Sequence, residues 1–520
     1  MSDRSAAPGS VGGESAAGDE AARLSRRRLL GAAAAATAAG AGVRILTDGA
    51  PGADAAAVKP SGKRVVVLGG GLAGLCAAYE LRKKGYKVVA VLEAQQRTGG
   101  RVQTVRSGFV NGQYAELGAT RIASSHNFTL GYASQFGLPL VEFTSGDGLY
   151  QLKGRAPFVH TDGTAWPANV LPGLQSADRL LGADAISWKY DRGDIISDPA
   201  NPGYLGDPNS TRWPFDNALA ANLVPVSYRQ YWADNGASDD AFLLNRAING
   251  SEIHSDGALY WLAADIVDAT WSQTFAIRGG NDQLPAAFTS ALGALVKYGC
   301  AVTAIRQNAD GATVSFVEKG RTSTVDADFV VCGLPFSILR NIDISPQLPA
   351  DKTATIQNLR YMPVGRNFMQ TRTRFWTQRG IGGLKIARTD TGIDRLWHNT
   401  DVQDGATGIV GAYMQNQTGV DYAAAGSNFA QRTAYVKGIV STFFPEIGGE
   451  YLGGVEKIWQ NDPYVKGAWG WFAAGEQWMF PVAKRPEGRV HFCGEHTSAW
   501  SGWMQGAFES ANRVVSEIVG

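Results

Sequence analysis

Apolar and polar residues follow changing rhythms along this chain, and the first clear change falls between residues 64 and 93. Val65-Val66-Val67-Leu68 is an unbroken apolar run stopped by Gly69-Gly70-Gly71. From Leu72 the apolar residues fall at helical spacing as far as Gly85, and a second apolar run, residues 88–92, ends on Glu93. Strand, glycine turn, amphipathic helix and strand in this order predict a βαβ unit. A further helical pattern reaches Phe136. Residues 144–270 are richer in Trp, Pro, Asp and Asn, with helical patterns at 228–231 and 239–247. Alternation returns at 301–305 and 312–317, followed by a buried-type run at 327–335. Strand patterns and a helix then mix from 348 to 443, and a last strand at 489–493 feeds a glycine-led turn and a helix. The expected class is α/β: a Rossmann-type domain built from separate stretches, a mixed-sheet substrate domain and an inserted helical domain. The expected bounds are 59–143, 271–347 and 457–520 for the nucleotide-binding parts, 144–270 for the insertion and 348–456 for the substrate domain.

The glycine turn carries the first chemistry. In a βαβ unit of this kind Gly69 makes the tight turn, Gly71 lets the backbone approach a pyrophosphate, and Gly74 lets helix and sheet pack closely. The helix then begins at Leu72 and Ala73, whose N–H groups and partial positive charge face that pyrophosphate. Glu93 and its neighbour Ala94 stand where a carboxylate accepts bonds from ribose hydroxyls. Next come Arg97, Gly99, Gly100 and Arg101, in which glycines permit close approach and guanidinium groups suit phosphate oxygens.

Composition adds limits. The 520 residues suffice for two or three domains, and 44% hydrophobic residues with 64 glycines fit a loop-rich α/β enzyme. A net charge of +1 gives no reason to expect nucleic acid, and there is no polybasic block to hold a lipid surface. Cys76, Cys300, Cys332 and Cys493 lack metal-ligand spacing, so no metal site is expected, and most sit in apolar runs as small hydrophobes. Residues 1–58 differ from the rest: a disorder-type start, then Arg26-Arg27-Arg28 before an alanine-rich, mildly apolar segment. That pattern is a twin-arginine export signal, implying a secreted or periplasmic protein with no permanent membrane anchor.

The Gly-Gly-Arg stretch after the ribose acid resembles the flavin-containing amine oxidase superfamily, and Leu117-Gly118-Ala119-Thr120-Arg121-Ile122 looks like its L-amino-acid oxidase form. The resemblance implies FAD as cofactor, with Gly118, Ala119 and Thr120 along the flavin and Arg121 reaching a substrate carboxylate. Tyr413, which ends the pattern of residues 407–413, would complete that clamp. Val302 would meet the adenine. Gly494 and Glu495 would lie at the ribityl or ribose hydroxyls, and Gly502, Trp503 and Met504 would bring a helix N-terminus and an indole to the ring. Where relatives carry a lysine near flavin N5, this chain has Arg366. Ala468-Trp469 stands where monoamine oxidases have a flavin-bonding cysteine, so FAD is expected to be noncovalent, and Trp469 or Trp471 would wall the side-chain pocket. His496 would be scaffold, held by hydrogen bonds.

The implied activity is oxidative deamination of an L-amino acid by hydride transfer from Cα to flavin N5. Oxygen or another acceptor would take the electrons. The alternative is a monoamine or polyamine oxidase or dehydrogenase acting on an amine without a carboxylate. A homodimer is an expectation from the resemblance alone.

Overall fold

The computed structural model describes residues 61–520 except 144–147, 162, 199, 202, 206–217, 251–254, 269–272, 380, 382–384 and 398–399. The twin-arginine segment therefore lies outside the described residues. In chain order the elements that position the site are β1 (Arg64–Leu68), α1 (Leu72–Lys83) and β2 (Lys87–Leu92). Then come helices α2 (Tyr228–Asp234), α3 (Asp239–Asn249) and α4 (Ala258–Asp268). Strands β3 (Val296–Lys297), β4 (Cys300–Gln307), β5 (Phe329–Cys332), β6 (Val364–Thr371), β7 (Arg395–Trp397), β8 (Gly408–Gln415) and β9 (Val490–Phe492) follow, and α5 (Met504–Val519) closes the chain.

The nucleotide-type sheet has the order β3-β2-β1-β5-β9, and all its pairs are parallel. Its strands come from distant parts of the chain, as the repeated pattern predicts. One of them, the two-residue β3, is too short to announce itself by periodicity. Both faces of the sheet are covered, which is why β1 reads as a continuous apolar run: Val65, Val66, Val67 and Leu68 are all fully buried. One face packs on α1 and α5 through Leu75, Ala78, Leu81, Phe508 and Val514. All four cysteines are free and buried. Among the described residues no helix is long and apolar enough to cross a membrane.

A seven-stranded mixed sheet forms the second layer, with β6, β8 and β7 as consecutive antiparallel neighbours. Leu149–Gln151 and Phe158–Val159 also join this sheet, so the stretch expected to be a helical insertion contributes strands before it turns helical. The helices then enclose their own core around Trp166, Tyr228, Trp232 and Phe242. Within it the buried Asp191 carboxylate accepts bonds of 2.8 Å from the Tyr228 hydroxyl and the Trp232 indole. Helices α3 and α4 thereby lean over the open side of the mixed sheet with Asn249, Tyr260 and Trp261 on the shared cavity.

Gly74 joins the first helix to the first strand. A Cβ there would lie 2.1 Å from the Gly69 carbonyl oxygen and 3.1 Å from Val67. The Gly74→Ala variant is expected to lose about 3 kcal/mol through this overlap. Chemical denaturation checks it, and an unchanged midpoint would count against the packing role.

Candidate active site

One cavity of about 550 Å³ runs from the turn after β1 to the inner face of the mixed sheet. At its first end Gly71 caps α1 with an extended backbone and no side-chain cap, and no acid stands in the first turn of the helix. The helix therefore presents bare N–H groups and its positive end to the cavity at Leu72 and Ala73. A Cβ on Gly71 would meet no atom within 4 Å, so it would project into open space, while one on Gly100 would come within 3.5 Å of the Gly71 Cα. This is the cradle a pyrophosphate needs. Glu93 lies beside it, buried, with Oε2 accepting from Gly70 N–H and Oε1 from Gln95 N–H, both at 2.7 Å. Burial raises its pKa despite these bonds. Each oxygen keeps a lone pair for a ribose hydroxyl. Ala94 lines the same end, with Cys300, Ala301 and Val302 of β4. The donor set fits a dinucleotide.

Some expected cofactor residues serve the loop instead. Arg97 does not line the cavity: its guanidinium donates to the carbonyls of Thr98 and Gly100 and to the Gln103 side chain. A loop rich in unpaired carbonyls is a sufficient set of acceptors for that fork. Gly74 also stands off the cavity, in its packing role. Glu495 lines the cavity, but its oxygens are already engaged. Oε1 accepts from Arg101 at 2.5 Å and Gly470 N–H at 3.2 Å, and Oε2 from Gly502 N–H at 3.0 Å, with the Ser501 hydroxyl 3.1 Å away. Burial pushes this acid up, and the Arg101 charge with its hydrogen bonds outweighs burial, leaving it below the usual range. It ties the turn before α5 to Arg101. Arg101 also donates to the Ala468 carbonyl. Gly494, Gly502, Trp503 and Met504 line the cavity, where α5 starts without a side-chain cap.

At the other end, sheet geometry assembles the chemistry. Arg366 of β6 and Arg395 of β7 both pair in register with Tyr413 of β8, so the three side chains form one row on one face. The Tyr413 ring lies 4.9 Å from the Arg366 guanidinium and 4.8 Å from that of Arg395. Trp397, two residues beyond Arg395, stacks on Tyr413 at 5.5 Å and 12°. Arg121 sits 4.7 Å from the Trp397 ring and 5.4 Å from that of Trp503. Cations and aromatic faces thus alternate from the sheet to the start of α5. Among the described residues the Tyr413 hydroxyl has no hydrogen-bond partner, and burial raises its pKa against the pull of both arginines, which keeps it protonated as a donor.

Arg366 is buried, and its Nη1 lies 2.6 Å from the Glu116 carbonyl, 2.5 Å from the Gly118 carbonyl and 3.0 Å from the Thr120 hydroxyl. Gly118 is held close on its other side as well, since a Cβ there would be 1.8 Å from the Arg101 carbonyl. Asn281 adds two bonds to the carbonyls of Ala119 and Thr120. Trp469 lines the cavity, whereas Trp471 does not and packs with Arg360 instead. His496 is scaffold without the expected hydrogen bonds: among the described residues neither ring nitrogen has a partner, and the ring sits edge-on to Phe336. Burial drives the pKa of His126, next to Trp503, down to about 3, so it is neutral. The sequence reading did not include Arg395, Trp397, Gln415 or Asn249, all of which line this end. Arg395, Trp397 and Gln415 come to it through cross-strand register and Asn249 through the last position of α3, and no local pattern carries either.

Comparison with known proteins agrees with this geometry. Residues 72–519 match the model of the flavin containing amine oxidoreductase family. The flavin-dependent L-tryptophan oxidase of Lentzea aerocolonigenes is 31% identical over 487 residues, covering 88% of this chain and 98% of that one. An L-amino-acid oxidase of Siganus canaliculatus is 28% identical over 471 residues, covering 87% and 85%. Among solved structures, putrescine oxidase bound to putrescine superposes with a TM-score of 0.72 at 22% identity, covering 88% of this chain and 99% of that one. Cyclohexylamine oxidase from Brevibacterium oxydans gives 0.71 at 19% identity, with 88% and 99% covered. The cradle, the ribose acid and the match along nearly the whole described chain lead to one conclusion: this protein belongs to the flavin-containing amine oxidoreductase family, and its cofactor is FAD.

Proposed function

We propose that the chain oxidises an L-α-amino acid to the 2-oxo acid, with water and dioxygen consumed and ammonia and hydrogen peroxide released. The observation that carries this reading is the meeting of Arg121 and Tyr413 on one lobe of the cavity. A guanidinium binds a carboxylate by two parallel charge-assisted bonds, and the phenol adds a neutral donor. Bound FAD supplies the electron sink, accepting the hydride equivalent that leaves the substrate Cα. The protein contributes position: Arg121 and Tyr413 would fix the carboxylate and so set the orientation of the Cα–H. The aromatic walls, Trp261, Trp397 and Trp469 among them, exclude water and take the side chain. Arg366 and Arg395 disfavour a further positive charge in the lobe, so the substrate amine binds neutral. Ala468-Trp469, where monoamine oxidases carry a flavin-bonding cysteine, supports FAD held without a covalent bond. Arg366 stands where relatives place a lysine, and the acceptor is dioxygen or another oxidant. The twin-arginine segment supports export of the folded holoenzyme.

Peroxide and ammonia release with the twenty L-amino acids and several amines tests the reading, with and without an artificial acceptor. Turnover of amines alone would overturn it in favour of an amine oxidase. Arg121→Met is expected to lower kcat/KM for amino acids by about a hundredfold or more, as charge-assisted hydrogen bonds are lost. Amine turnover, where present, should fall far less.

Gly71→Val tests the cofactor end separately. The Cβ of the new side chain meets no protein atom, so the fold should persist by circular dichroism while FAD affinity drops at least about tenfold. Undiminished flavin content would remove Gly71 from the pyrophosphate cradle.

A further inference from the structure

Arg121 precedes a strand of only two residues, Ile122–Ala123, so the backbone alone leaves a long, flexible side chain poorly fixed. A clamp that must aim a planar group needs that plane set by something else. Two indoles from unrelated parts of the chain do so. Trp503 comes from the start of α5, and Trp397 from the last position of β7. Trp397 makes the closer approach to the guanidinium, at 4.7 Å. The same indole stacks on Tyr413, the other half of the clamp, at 5.5 Å and 12°. Its own place is set by register, opposite Gly411, the residue two before Tyr413 on β8.

We propose that Trp397 is a positioning residue that sets both halves of the carboxylate clamp at once. Its π face holds the guanidinium plane of Arg121, and its stacking fixes the tilt of the Tyr413 ring. This rests on the amino-acid reading of the cavity. It is not an ordinary core role, although Trp397 also packs near Val141 and Ala276. A filler of similar bulk would satisfy those neighbours but would offer the guanidinium no π face.

Trp397→Phe keeps a π face, while Trp397→Met fills space without one. Each holoenzyme is titrated with benzoate and with benzyl alcohol, its uncharged counterpart, following the flavin absorbance. The Met variant should bind benzoate about tenfold more weakly than wild type, with a much smaller change for benzyl alcohol. The Phe variant should recover most of the benzoate affinity. Equal losses for both ligands, or Phe no better than Met, would overturn the positioning role. Should the Met variant lose its flavin, Trp397→Leu takes its place: a loss confined to benzoate supports the role, and equal losses end it. A wild type that shows no preference for benzoate defeats the amino-acid reading itself, and the role of Trp397 with it. A carboxylate-selective wild type with equal losses in the variants defeats Trp397 alone.

Discussion

The site depends on one buried cation. Arg366 leaves water to grip two carbonyls and a hydroxyl of residues 116–120, a transfer that costs on the order of several kcal/mol unless strong acceptors replace the lost solvent. Those acceptors belong to the segment that ends in Arg121, while Arg366 itself belongs to the mixed sheet. One side chain therefore joins the nucleotide-binding layer to the substrate layer. It also holds Gly118, which lies close against the Arg101 carbonyl on its other side. Glu116 completes the arrangement from behind, accepting from Asn281 N–H and the Thr104 hydroxyl. Burial raises its pKa to about 7.

Glu495 plays the corresponding part at the C-terminal end. Its carboxylate gathers Arg101, Gly470 and Gly502, which come from three separate stretches of the chain. The two hubs share a logic: a charged group, buried and hydrogen-bonded, holds backbone in place so that neighbouring residues are free to meet ligands. Residues that look like ligands by motif thus become the frame of the site, and the ligand-facing surface passes to backbone N–H groups, small residues and aromatic rings.

What could be read from the sequence follows from how local each signal is. The βαβ unit was legible because Val65 to Glu93 encodes strand, turn, helix and acid in one contiguous stretch. Arg121 and Tyr413 were legible only through resemblance, since nothing in their local spacing brings them together. Arg395 and Trp397 were not legible at all: they sit on a three-residue strand, too short for a period, and acquire meaning only when β7 pairs with β8. Arg97 misled for a different reason. A guanidinium near glycines looks like a phosphate ligand, yet the same glycines expose carbonyls that it satisfies first. The strand β3 and the strands at 149–151 and 158–159 were likewise too brief to stand out from loop.

The row of Arg366, Arg395 and Arg121 along one wall also has an electrical meaning. Three fixed positive charges border a narrow, low-dielectric space, and field lines concentrate there. Any small anion entering the lobe feels that pull. Phosphate and sulfate are therefore drawn to this wall, and its occupancy is coupled to the ionic make-up of the surroundings.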